Sequence, residues 1–252
     1  MSQWVRKGIG TGIKTTRYPA AAEPAPGVTP GLPVGGAYPP SLADRCPTGA
    51  ITAANHSVVV DYRQCVHCFR CGRGVAAPLD WQPGYEWAAA VAGPMATERE
   101  LGRAFARSVN IIVVDAGDCG ACLHEVKQLN NPYYNIHRLG FFLTPTPRLA
   151  DILLVVGPVT DHMRLPLQKT YDAMPTPKRV IAVGACALSG GVFGPSFVSC
   201  GGVKDVLPVD VEVPGNPPPP LAILHGLLVA VGRKPSAALI SPASAPAEVT
   251  TR

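Results

Sequence analysis

From residue 109 onward, short uninterrupted apolar runs alternate with segments whose apolar positions recur at helical spacing. Asn110–Val114, Asp151–Val156 and Arg179–Val183 are three such runs. Each is bounded by polar or glycine residues and reads as a strand buried on both faces. Cys122–Asn130 and Met163–Met174 read as helices, the second with Pro166 in its first turn, where proline is tolerated. Val206–Val209 reads as a fourth strand and Leu221–Val231 as a closing helix. This alternation over residues 109–232 predicts an α/β domain, a flavodoxin-like parallel sheet with helices on both faces. Sites in such sheets gather at the carboxyl ends of the strands. Cys119 and Cys122 follow the first strand, and Cys186 follows the third.

Ahead of residue 109 the pattern is weaker. Residues 1–45 read as an arm that opens with a basic, amphipathic stretch, Trp4–Lys14, and continues as a Pro-, Gly- and Ala-rich extended segment from Tyr18 to Pro40. Residues 46–80 hold four cysteines and a small hairpin, Ala50–Thr52 with Ser57–Asp61, and read as a small α+β module. Residues 81–108 read as a connector with a helix at Thr97–Arg107, and residues 233–252 as a disordered tail.

Composition sharpens this picture in three ways. Charged residues are 15% of the chain, below the roughly 25% of an average soluble domain, so much of the surface is expected to lie against partners. The 28 Pro and 26 Gly exclude an all-helical bundle. The net charge of +5 is scattered, with no basic stripe interleaved with aromatics, which argues against nucleic acid as a partner. Leu221–Val231 is interrupted by His225 and falls short of the roughly 20 residues of a membrane span. No charged stretch followed by an apolar run opens the chain, so a soluble, non-secreted protein is expected.

The eight cysteines carry the chemistry. Cys65, Cys68 and Cys71 form C-x2-C-x2-C, the run that in bacterial ferredoxins continues to a fourth cysteine ligating the other cluster of a pair. Here that position is Val75, while upstream Cys46-Pro47 has the form of the last ligand of a preceding motif whose own first three cysteines are missing. Both losses delete the same cluster. Cys46, Cys65, Cys68 and Cys71 remain as one complete set, read as a [4Fe-4S] site, with a four-thiolate zinc site as the other reading.

This region resembles the ferredoxin-like subunits of complex I and of formate hydrogenlyase-type membrane hydrogenases, over residues 1–80 and including Gly10–Pro19, which is similar to their membrane-proximal N-terminal segment. It departs from that family in keeping one cluster where two are usual. Val114–Cys122, Pro132–Gly140, Thr146–Thr160, Tyr171–Pro175, Val183–Ala187 and Val209–Gly215 resemble a second family, the small electron-transfer subunit of membrane-bound [NiFe] hydrogenases, related to the B subunit of complex I. The C-x-x-C of Cys119 and Cys122 is similar to the hydrogenase branch, since complex I subunits carry adjacent cysteines there.

The second resemblance implies a further [4Fe-4S] cluster on Cys119, Cys122 and Cys186, with a fourth cysteine from a Gly-Cys-Pro-Pro turn. In Pro214–Pro218 that place is held by Asn216, a poor substitute for a thiolate. We take Cys200, the one unassigned cysteine, as the replacement ligand; the other reading is a three-cysteine cluster, or none, with Cys200 an incidental buried thiol. Glu125 matches a family glutamate implicated in proton movement near the large-subunit interface, and reads equally well as a helix-surface carboxylate. His124 and His137 read as packed or surface histidines rather than ligands, and Gly190–Gly194 matches no nucleotide-binding fingerprint.

Together the resemblances imply a fusion of a one-cluster ferredoxin-like module with a hydrogenase-type small subunit. Such a chain would be an electron-transfer subunit with two [4Fe-4S] clusters, in the peripheral arm on the cytoplasmic side of a membrane-bound respiratory or formate hydrogenlyase-like complex. Its implied partners are a [NiFe] hydrogenase or complex I-type large subunit, membrane-arm subunits and other ferredoxin-type proteins. Two alternatives stay open: a complex I-related assembly without hydrogenase activity, and a scaffold subunit lacking the second cluster. No substrate pocket with acid–base residues is readable, so a complete enzyme is not expected.

Overall fold

The computed structural model describes residues 2–23, 31–54, 57–91 and 108–241. In the N-terminal part, β1 (Leu32–Pro33), β2 (Ile51–Ala54), β3 (Ser57–Val60) and β4 (Trp81–Gln82) form two antiparallel pairs, β1 with β4 and β2 with β3. The hairpin expected from the two apolar runs is the β2–β3 pair, in register Ile51↔Val60. The helix expected at Thr97–Arg107 lies outside the described residues.

Six strands make the main sheet: β5 (Ala89–Ala90), β6 (Val109–Asp115), β7 (Phe141–Leu143), β8 (Ile152–Val156), β9 (Arg179–Val183) and β10 (Val211–Val213), in spatial order β5-β10-β9-β8-β6-β7. β6 to β10 run parallel and β5 closes one edge antiparallel. Counting only the parallel strands in chain order, the sheet reads 2-1-3-4-5, the flavodoxin-like arrangement, with its switch point at β6. The mixed α/β fold with a mostly parallel sheet is therefore as expected.

Side chains of successive residues point to opposite faces, and the two faces build two cores. Ile111, Ile152, Leu154, Ile181 and Val183 join one core; Ile112, Leu153, Val155, Val180 and Ala182 join the other. The second core is covered by the Asp161–Ala173 and Ala185–Ser189 helices through Leu167, Ala187 and Leu188. The first is covered by the Ala121–Gln128 and Pro220–Ala230 helices. Every residue of Pro220–Ala230 is buried, His225 included, because the N-terminal part packs against it as well. One continuous core thus runs from Tyr18, Leu42, Val58 and Tyr62 to Val213 and Leu224.

Four expectations are corrected. The strand expected at Val206–Val209 forms instead at Val211–Val213, since Pro208 has no N–H to give a ladder. The Asp161–Ala173 helix starts two residues earlier than expected, so exposed Pro166 stands inside it rather than in its first turn. The segment after Tyr18 is no mere surface arm: Tyr18 is fully buried, edge-on to Tyr85. Residues 233–241 of the expected tail are built in. Ser241 N–H donates to Val60 O, Val60 N–H to Ser241 Oγ, and Tyr62 N–H to Leu239 O.

Candidate functional site

Cys65, Cys68 and Cys71 sit on the loop that follows β3, and Cys46 on the turn after the short Ser41–Asp44 helix. His67 and Phe69 take left-handed backbone conformations, φ 51° and 61°, which curl the loop tightly around its cysteines. Trp81 braces it, stacked on Phe69 at 4.6 Å and edge-on to His67 at 5.6 Å. Thr48 Oγ1 donates to Gln64 O at 2.7 Å and closes the other side. The four cysteines, with Pro33, Ile51, Val60 and Trp81, line one pocket.

Burial pushes the Cys65 thiol up to about 12, the His67 backbone N–H opposes this, and the charges of Cys71, Cys46 and Cys68 add to it. Cys71 is raised too, by burial first and then by the charges of Cys68 and Cys46, with its own backbone N–H opposing. Four thiolates that repel one another across an apolar pocket become compatible when iron supplies the positive charge, with release of their protons. The donor set therefore fits an iron–sulfur cluster. The thiols ring the pocket rather than meeting at one point, and among the described residues no three His, Cys, Asp or Glu side chains are arranged to hold a single metal ion.

The second group lies at the carboxyl end of the main sheet. Two carboxylates shape the loop after β6. Asp115 Oδ1 accepts from the N–H groups of Gly117 and Asp118 at 2.9 and 2.7 Å, and Asp118 Oδ2 from those of Gly120 and Leu123 at 2.9 and 3.0 Å. This fold places Cys119 at the surface and buries Cys122 in the first turn of the helix. Burial raises the Cys122 thiol, and the charges of Asp118, Cys186, Cys119 and Glu125 add to the effect. Cys186 is raised likewise, by burial and then by Cys119 and Asp118. Cys119, Cys122 and Cys186 are thus one electrostatic group, and the half-buried Glu125, its own carboxyl raised by burial, borders it.

Glycines make the room for these sulfurs. A Cβ on Gly184 (φ +90°) would stand 2.5 Å from Cys122 Sγ, and one on Gly191 (φ +60°) 2.7 Å from Cys186 Sγ. Cys200 packs differently: it is half-buried against the core that contains Leu167, and its N–H donates to Val159 O at 2.7 Å. Asn216 Nδ2–H donates to Val66 O at 3.0 Å, in the loop that carries Cys65 and Cys68. His124 is exposed and meets Gln128; exposed His137 bonds Asn130 Oδ1. Sequence reasoning missed the roles of Asp115, Asp118 and Trp81; only the Asp-x-Gly-Asp spacing before Cys119 carried a signal of such turns.

The family model described as NADH ubiquinone oxidoreductase, 20 Kd subunit, matches residues 119–230 and does not reach the cysteines at 46–71. An uncharacterized protein of Methanocaldococcus jannaschii is 45% identical over 122 residues, 48% of this chain and 82% of its own length. Formate hydrogenlyase subunit 7 of Escherichia coli is 41% identical over 126 residues, 50% of this chain and about half, 49%, of its own length. A probable membrane-bound hydrogenase subunit of Pyrococcus furiosus is 42% identical over 132 residues, 52% of this chain and 79% of its own length. With the Cys119–Cys122–Cys186 group inside the matched region and its relatives covered this far, the chain belongs to the family of the 20 kDa subunit of NADH ubiquinone oxidoreductase.

Proposed function

We propose that this protein is an electron-transfer subunit with two iron–sulfur sites, a one-cluster ferredoxin-like part joined to a hydrogenase-type small subunit. The observation that carries the reading is the gathering of seven cysteines into two groups, Cys46, Cys65, Cys68 and Cys71 in one pocket and Cys119, Cys122 and Cys186 at the sheet's carboxyl end. Bound [4Fe-4S] clusters would supply one-electron redox chemistry at these sites. The chain's part is to hold iron through the thiolates and to keep water away with Trp81, Phe69 and Val60 at the first site. Cys68 and Cys119 are the exposed members of the two groups and give each an edge toward solvent or a partner.

Among the described residues no helix is long and apolar enough to cross a membrane. The related E. coli and P. furiosus proteins are named as a formate hydrogenlyase subunit and a probable membrane-bound hydrogenase subunit. We accordingly place this chain in the peripheral arm of a membrane complex, on its cytoplasmic side, beside a [NiFe] hydrogenase or complex I-type large subunit. Iron and sulfide analysis with electron paramagnetic resonance of the reconstituted full chain tests the reading. Two distinct reduced signals are expected; about four iron per chain in a single centre would leave the scaffold reading in its place.

A further inference from the structure

The loop that carries the first cysteine group is basic. From Gln64 to Leu79 its only Asp, Glu, Lys or Arg residues are Arg70 and Arg73. Arg45, one residue before Cys46, joins them: its Nη2–H donates to Arg73 O at 3.3 Å. The Arg73 guanidinium lies over the Phe69 ring at 5.5 Å, and Phe69 in turn stacks on Trp81. Arg70 lines the pocket with Cys68. All three arginines are exposed, and none has an ion-pair partner among the described residues. The acids nearest in sequence are Asp44, in the Ser41–Asp44 helix, and Asp80, which accepts from the Tyr38 hydroxyl at 3.0 Å. Three cations against two anions leave a positive rim around Cys68, the exposed thiol of the group.

Large apolar side chains reach solvent elsewhere, as at Trp4, Phe142, Phe193 and Phe197; among the described residues, none falls within 41–82. A permanent interface is built on an apolar centre, whereas a brief electron-transfer encounter is small and draws its rate from complementary charge. The second group has the opposite sign. Between Asn110 and Leu123, around the exposed Cys119, the chain contributes Asp115 and Asp118 and no Lys or Arg. An acidic protein is therefore drawn to the first group and turned away from the second.

We propose that Arg45, Arg70 and Arg73 form the docking rim for a small acidic electron-carrier protein, which exchanges one electron with the first centre at its Cys68 edge. The carrier is oxidised as the centre is reduced, or the reverse. The inference rests on the iron–sulfur reading of the first site and adds the partner's charge and its place of contact.

The test measures binding of a small acidic [2Fe–2S] ferredoxin to the reconstituted full chain by surface plasmon resonance. At low ionic strength, Arg70→Gln with Arg73→Gln should slow association about tenfold, and the difference should shrink below about twofold in 0.5 M salt. Arg70→Gln alone, which leaves the Arg73–Phe69 contact in place, should slow it about threefold. Removing two exposed charges elsewhere, with Arg164→Gln and Lys169→Gln, should leave the rate within about twofold. Association that ignores Arg70 and Arg73, or slows equally with the distant pair, overturns the proposal. So does a shifted first-centre potential with unchanged association, because the arginines would then serve to offset the cluster's own charge.

Iron analysis of the same samples judges the function reading separately. A chain without iron that still binds the ferredoxin through these arginines refutes the cluster and keeps the docking rim. An iron-loaded chain that does not bind it keeps the cluster and refutes the rim.

Discussion

Arg63 Nε donates to Glu212 Oε2 at 2.7 Å, joining the loop before the first cysteine group to β10 in the main sheet. Glu212 is 4% exposed, whereas the Arg63 side chain is 30% exposed and shares a second, longer contact with Asp61. Removing the guanidinium strands a carboxylate in the sheet. Arg63→Met is expected to lower stability by about 2 kcal/mol, less than for a fully buried pair because Arg63 keeps part of its hydration. Arg63→Met with Glu212→Gln together should recover much of the loss. Urea unfolding of the two variants measures it, and an unchanged midpoint in the single variant would show the pair to be idle.

Cys46 lies nineteen residues ahead of Cys65 (65 minus 46), yet the pocket unites them. Cys46→Ala should therefore remove the first centre as completely as Cys68→Ala, leaving the second signal in place. A first-centre signal that survives in Cys46→Ala removes Cys46 from the ligand set.

Gly184 is the sharpest steric test of the second site, since a methyl there meets Cys122 Sγ and the backbone is left-handed. Gly184→Ala is expected to cost about 1–3 kcal/mol and to abolish iron uptake at the second site while the first still loads. Iron counts and thermal unfolding on the same preparation read both effects. Cys200→Ser tests the replacement-ligand reading: loss of the second signal is expected, and an unchanged signal would leave Cys200 as a thiol packed against the Leu167 core.

His225 gives a pH dependence. Its Nδ1 accepts the Ala88 N–H at 3.1 Å, and burial holds its pKa below the usual 6.5, with the nearby charges of Glu86 and Lys234 acting in opposite directions. A depressed histidine means that the unfolded chain takes up the proton first. The stability that neutral His225 provides is complete above pH 6.5 and falls as the pH drops below it, by at most about 1.4 kcal/mol per pH unit. His225→Asn retains an acceptor and should flatten the slope between pH 6.5 and 5 in urea titrations. A slope equal to that of the wild type would place the effect elsewhere.

No residue of the Gln3–Thr11 helix is buried, although Trp4 and Ile9 are 82% and 70% exposed. Deleting residues 2–12 should change unfolding stability by less than about 0.5 kcal/mol and yet reduce co-purification with the membrane fraction. Unaltered membrane association would exclude this helix as the docking element.

Where burial alone decided an element, the sequence was readable. Ile152–Val156 and Arg179–Val183 are buried along their whole length, and each stands within a residue of its expected place because nothing else suits a run of Val, Ile and Leu. β5 and β7 were invisible: Ala89–Ala90 and Phe141–Leu143 are too short for any period to emerge, and they pair only because a finished sheet offers its edges. The cysteine groups were legible through their spacing. Asn216 was not, since its partner Val66 is 150 residues away and nothing local marks the bond.

The link between Val60 and Ser241 spans 181 residues. A nascent chain that has emerged only as far as Trp81 already carries Cys46, Cys65, Cys68 and Cys71, but β3 still lacks the segment that covers its open edge. Contacts this distant in sequence form late, after the intervening loop has been closed. The edge of β3 beside the first pocket is therefore closed only after synthesis has passed Ser241, although every residue that lines the pocket, up to Trp81, has emerged long before.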